Sequence, residues 1–80
     1  MAILRLFASA REAAGTGSAE FEGATVGEVL AGAVHRYGGH FEQVLGTSKV
    51  WLNGEAADSS DAVGDRDEVA VLPPVSGGTI

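Results

Sequence analysis

The sequence predicts an α+β domain in which one amphipathic helix lies across a mixed sheet. Three observations carry this. Val26, Val29, Leu30, Ala33, Val34 and Tyr37 fall at offsets of 3, 4, 7, 8 and 11, which is one continuous helical face. Short apolar runs at residues 3–8, 49–52 and 68–72 have strand length and are bounded by turn residues. The order of elements is strand, strand, helix, strand, short strand, strand, so the helix must cover the apolar face of the sheet that surrounds it in sequence. Eighty residues allow one domain.

Each element has a local reason. Along residues 3–8, period-two alternation puts Leu4, Leu6 and Ala8 on one face and Ile3, Arg5 and Phe7 on the other. Residues 9–14 are alanine-rich and suit a short helical turn ended by Gly15, with a turn at 15–18. Residues 19–22 alternate as a half-buried strand does. Thr25 and Glu28 have capping-box spacing and start the main helix. His35 and Arg36 complement the dipole in its last turn, and Gly38-Gly39 ends it. Gly27 and Gly32 each weaken it by about 1 kcal/mol relative to alanine, so packing must hold it. Residues 41–45 read as a short loop or a turn of helix. Residues 49–52 form a strand, Asn53-Gly54 a tight turn, and 55–57 a return strand. Residues 58–67 are an acidic loop. The last strand, 68–72, is stopped by Pro73-Pro74, which cannot donate to a ladder. The folded domain is expected over residues 1–74, and residues 75–80 are expected to be a flexible tail.

Composition excludes several functions. The formal charge is −6, with five Lys and Arg against eleven acids, which argues against nucleic acid and anionic membrane as partners. No apolar run approaches ~20 residues and no leader pattern is present, so a cytoplasmic protein is the expectation. Cysteine is absent, which removes disulfides, thiolate metal sites and cysteine nucleophiles together. His35 and His40 have no ligand spacing. The acids Asp58, Asp61, Asp65, Asp67 and Glu68 lack the order of a calcium loop. Gly15-Thr16-Gly17 is too short for a phosphate loop, and no serine triad is visible. No metal site is expected.

Four segments resemble the MoaD family, the small sulfur-carrier subunit of molybdopterin synthase, within the wider MoaD and ThiS group of β-grasp proteins. They are Leu6-Phe7-Ala8-Ser9-Ala10-Arg11-Glu12 with Gly15; Thr25-Val26-Gly27-Glu28-Val29-Leu30; Gly64-Asp65 with Asp67-Glu68-Val69-Ala70; and Leu72-Pro73-Pro74-Val75-Ser76-Gly77-Gly78. The double proline before Gly-Gly leans towards MoaD over ThiS. The resemblance implies a ubiquitin-like β-grasp fold. It further implies a carrier rather than an enzyme, adenylated at the Gly78 carboxylate by a MoeB- or ThiF-type enzyme that uses ATP, then converted to a thiocarboxylate. The sulfur would pass to the large subunit of molybdopterin synthase. In the family the second glycine is normally last, whereas Thr79-Ile80 follow it here. Removal by a JAMM-type zinc peptidase is the expected processing.

The residue types suit that chemistry. Gly77 and Gly78 lack a Cβ and let the backbone approach a nucleotide closely. Pro73 and Pro74 stiffen the base of the tail and lower the entropy lost on insertion. With Leu4, Leu6, Val50, Leu52, Val69 and Val71 facing the helix, Phe7, Trp51 and Leu72 point the other way beside Arg5 and Lys49. That surface, with Pro73, Pro74 and Val75, is expected to bind a partner protein. No cofactor is expected to bind stably. Three other readings stay open: sulfur delivery to thiazole, cysteine or a secondary metabolite; a modifier joined to lysines through Gly78; and a non-reactive binding module.

Overall fold

The computed structural model describes residues 1–74. Five strands and three helices run in the order β1 (Ala2–Leu6), α1 (Ala8–Ala14), β2 (Ser18–Phe21), α2 (Val26–Tyr37), α3 (Gly39–Gly46), β3 (Lys49–Leu52), β4 (Glu55–Ala56) and β5 (Glu68–Leu72). They form one mixed sheet in the order β2-β1-β5-β3-β4. The central strands β1 and β5 are parallel, and the other pairs are antiparallel.

The register sorts side chains by face. Leu4 pairs with Val69, which pairs with Leu52; Leu6 pairs with Val71, which pairs with Val50. These two rows carry the predicted core face. Leu4, Leu6, Val69 and Val71 are fully buried with Val26, Val29 and Ala33 of α2, whereas Val50 and Leu52, one strand nearer the edge, are half-buried. At about 25 cal/mol per Å² of apolar area removed from water, side chains of this size each contribute roughly 1.5–3 kcal/mol.

The start of α2 follows its sequence with one shift. The Glu28 amide donates to Thr25 Oγ1 at 3.2 Å, but the Glu28 carboxylate reaches back to the Ala24 amide at 2.9 Å, one residue before the cap. The acidic loop then closes over this end. Val26 N–H donates to the Asp61 carbonyl at 2.9 Å and Gly27 N–H to the Ser59 carbonyl at 2.8 Å. Two of the four amides that a helix start leaves unpaired are thereby satisfied by a distant segment. At the far end Gly38, at φ 94°, stops the helix.

Two expectations are corrected. Strand β1 ends at Leu6, not at residue 8. Ala8 has a positive φ of 50°, and the Phe7 carbonyl accepts from the Ala10 and Arg11 amides, so the chain has already turned into α1. Residues 39–46 are an eight-residue helix, longer than the short loop or single helical turn expected at 41–45. Phe41 on α3 is completely buried, with its ring edge-on to Tyr37 at 5.2 Å between centroids; Tyr37 in turn meets Phe21 at 6.0 Å. Among the described residues, no helix is long and apolar enough to cross a membrane.

Candidate docking face and tail

The candidate site is built on the sheet face away from α2. Its rows follow from the same register. Ser18 pairs with Arg5, Arg5 with Ala70, Ala70 with Trp51 and Trp51 with Ala56; Leu72 pairs with Lys49. Phe7 directly follows the Leu6 partner of Val71, as Leu72 follows Val71 itself, so Phe7 and Leu72 stand at the same end of the two central strands. Phe7 is 42% exposed and Leu72 39%; with Met1 they are the exposed large apolar side chains among the described residues. Trp51 is half-buried. The strand-to-helix turn after Leu6 is what keeps Phe7 outside, because Phe7 occupies the N-cap position of α1 in extended conformation.

Charge borders this patch. Arg5 Nη1 lies 3.2 Å from Glu68 Oε2, and both side chains are nearly half exposed. Solvent screens such a pair, so it is worth at most about 1 kcal/mol. Lys49 is exposed beside Leu72. The β3–β4 turn is held by a polar lock. Asn53, at φ 51°, accepts the Glu68 amide on Oδ1 and donates from Nδ2 to Asp67 Oδ1; Asp67 Oδ2 accepts the Gly64 amide at 2.8 Å. The Gly64 amide, then the Asn53 side chain, hold the Asp67 carboxyl below the ordinary aspartate range. The acids of the 58–67 loop therefore act partly as turn caps: Asp61 likewise accepts the Asp58 amide at 2.9 Å.

The predicted residues divide into three groups. Phe7, Trp51 and Leu72 share one face. Pro73 is buried and Pro74 exposed, so of the two rings only Pro74 is presented to a partner. Val75, Gly77 and Gly78 lie outside the described residues. Sequence reasoning missed Arg11. It borders an open depression of about 530 Å³ with Arg5, Phe7 and the turn at 16–18. No local signal marked it: a Cβ at Gly17 would stand 3.5 Å from Arg11 Nε, an approach that only the folded chain creates.

Comparison with known proteins places the chain. Small archaeal modifier protein 1 of Haloferax volcanii is 36% identical over 92% of this chain and 97% of its own length. The solution structure of small archaeal modifier protein 1 from Methanosarcina acetivorans is 29% identical, covers 96% of this chain and 95% of its own, and superposes with a TM-score of 0.85. A chain in the crystal structure of the Amycolatopsis orientalis BexX/CysO complex is 25% identical, covers 98% of this chain and 100% of its own, and superposes with a TM-score of 0.82. The fold is thus the ubiquitin-like β-grasp that these relatives share. The ThiS family model matches residues 4–78, nearly the whole chain and up to Gly78, and the chain belongs to the ThiS family.

Proposed function

We propose that this chain is a sulfur carrier, acting in the cytoplasm and activated at Gly78, that donates sulfur in molybdopterin biosynthesis. The observation that carries the reading is the junction of docking face and tail. Phe7 and Leu72 are exposed at the end of the central strands, and β5 leads directly through Pro73-Pro74 towards Gly77-Gly78. The family match ending at residue 78 supports Gly78 as the reactive position.

The chemistry divides between two proteins. A Gly78 carboxylate oxygen attacks the α-phosphorus of ATP on a MoeB- or ThiF-type enzyme, and pyrophosphate leaves. A sulfide equivalent then attacks the acyl carbon; the bond to the phosphate oxygen breaks, AMP leaves, and a thiocarboxylate remains. This chain supplies the acyl group and the docking face, and it holds no cofactor of its own. The sulfur acceptor is the large subunit of molybdopterin synthase. Thr79-Ile80 are removed first, by a JAMM-type zinc peptidase, because the reacting carboxylate must belong to Gly78.

A second reading is a protein modifier, joined through Gly78 to lysines of other proteins. The likeness to small archaeal modifier protein 1 favours it. Delivery of sulfur to a different acceptor is a variant of the first reading, and the BexX/CysO complex supports a protein partner for that relative's branch.

One experiment tests activation: ATP–pyrophosphate exchange with the cognate adenylating enzyme, comparing the 80-residue chain, a form ending at Gly78, and that form with Gly78→Val. Exchange is expected from the form ending at Gly78 alone. Absence of exchange there refutes the carrier reading. Intact mass from native cells then separates the two readings: a gain of ~16 Da from oxygen-to-sulfur exchange marks the carrier, and attachment to other proteins marks the modifier.

A further inference from the structure

The depression beside Phe7 has a composition at odds with the rest of the chain. Acids outnumber Lys and Arg by eleven to five in the sequence. The depression is nevertheless bordered by two of those five cations, Arg5 and Arg11, and by no acid. Like charges at one surface repel, and a fold rich in carboxylates could have neutralised them locally. Arg5 has Glu68 on its β5 side, which engages one guanidinium nitrogen. Arg11 has no ion-pair partner among the described residues. Its side chain is exposed and runs past the turn at 16–18, with Cδ and Nε at ordinary contact distance from where a Cβ at Gly17 would stand. A guanidinium at the rim of a depression, with its donors unclaimed by carboxylates, suits bidentate binding of a carboxylate.

Phe7 belongs to both the depression and the apolar patch, so the two surfaces are continuous. We infer that the depression receives an acidic side chain, Asp or Glu, from the protein partner that covers Phe7 and Leu72, with Arg11 as its principal contact and Arg5 as its second. The inference rests on the reading of that face as a docking surface. It adds an orientation. An apolar patch alone permits several rotations of the partner, whereas one carboxylate fixed at its α1 side selects one. Charge complementarity also makes association salt-dependent for this part of the contact.

The test uses the form ending at Gly78 and the cognate adenylating enzyme, with affinity measured calorimetrically at low and at physiological salt. Arg11→Gln and Arg11→Glu are each expected to weaken binding at least about tenfold, with Arg11→Glu the worse and with a smaller salt dependence than the parent. Arg5→Gln is expected to weaken it less. Melting temperatures should match the parent, since neither guanidinium enters the core. Lysine replacement of one enzyme acid should restore binding to Arg11→Glu and not to the parent. Phe7→Ala separates this inference from the reading beneath it. If Phe7→Ala weakens binding while the Arg11 variants bind as the parent does, the docking face stands and the acidic contact is overturned. If none of the variants weakens binding, the docking reading fails and the inference with it. Parent self-association that is abolished by Arg11→Glu would assign the depression to a second copy of this chain and overturn the proposal.

Discussion

Gly27 and Gly46 both lie within helices, and alanine at the two positions should change stability in opposite directions. Gly27 is in the first turn of α2, where the 58–61 loop crosses. A Cβ there would meet the Ser59 carbonyl oxygen at 3.0 Å and Ser59 Cβ at 3.2 Å. Gly46 ends α3, has no left-handed φ, and a Cβ there meets nothing within 4 Å. Helix propensity alone favours alanine by about 0.8–1 kcal/mol. At Gly46 that gain is unopposed, though reduced at a helix end, so Gly46→Ala should stabilise by roughly 0.5 kcal/mol. At Gly27 the loop must move by a few tenths of an ångström. The movement strains two backbone hydrogen bonds, Gly27 N–H to Ser59 and Val26 N–H to Asp61. Each is worth about 0.5–1.5 kcal/mol, and a buried amide left unpaired costs more. Loss of both outweighs the propensity gain, and Gly27→Ala should destabilise by about 1 kcal/mol. For a domain of this size that is a fall of about 4–8 °C in melting temperature. Thermal and urea unfolding, followed by far-ultraviolet circular dichroism, measure both variants. Equal stabilisation by the two alanines would refute the claim that the loop clamps the helix.

Three further outcomes are expected. Phe41→Ala removes a fully buried ring that touches Tyr37 edge-on, and should lose about 3–5 kcal/mol in urea denaturation; a loss below 1 kcal/mol would mean that α3 is not packed. Asp67 titrates below its unfolded value, so its contribution is present above the unfolded pKa and is lost as pH falls through the folded one. Asp67→Asn should therefore narrow the stability difference between neutral pH and pH below about 4, read from melting curves across that range; an unchanged difference would remove the lock at Asn53 and Gly64 as its cause. Inserting Gly-Ser between Pro74 and Val75 in the form ending at Gly78 should leave enzyme affinity intact and lower pyrophosphate exchange, since two residues add about 7 Å where reaction needs placement within about 3–3.5 Å. Equal exchange by the inserted form would show that the tail is not held to length.

The sequence is most legible where several local signals agree. For α2 the stripe, the cap and the terminal glycine all point to residues 26–37, and those are its bounds. Strands β3 and β5 were bounded by Asn53-Gly54 and Pro73-Pro74, and both match. Helix α3 was hidden for a physical reason. It is eight residues long, with glycine at both ends and apolar residues only at 41, 44 and 45. A helix so short is marginal by itself; burial of Phe41, which depends on tertiary contacts, holds it. The end of β1 was misread because alternation continues formally through Ala8, and nothing local announces the positive φ there. At the site, the exposed sheet face followed from period-two alternation. Arg11 did not, because its approach to the turn at 16–18 depends on how the chain folds back after α1.

The topology brings the proposed docking face and the start of the proposed reactive tail to one end of the molecule. Strand β5 is central, bonded to β1 on one side and β3 on the other, so its last residue leaves the most firmly paired part of the sheet. Strands β1 and β5 are parallel, which places the Phe7 end of one beside the Leu72 end of the other. In an antiparallel pair Phe7 would lie at the opposite end of the sheet from the exit of the tail. Pro73 is buried, so the chain is anchored for one residue beyond the last strand pair before Pro74 emerges. A partner that covers Phe7 and Leu72 therefore sits a fixed distance from the base of the tail. Tethering raises the effective concentration of the terminal glycine at the partner's catalytic centre only when the spacer matches the span. The four residues from Val75 to Gly78 provide at most about 14 Å of extended chain. That reach makes the rigidity of the anchor matter. A frayed exit would blur the point from which the remaining residues start, whereas a buried proline directly after a central strand fixes it.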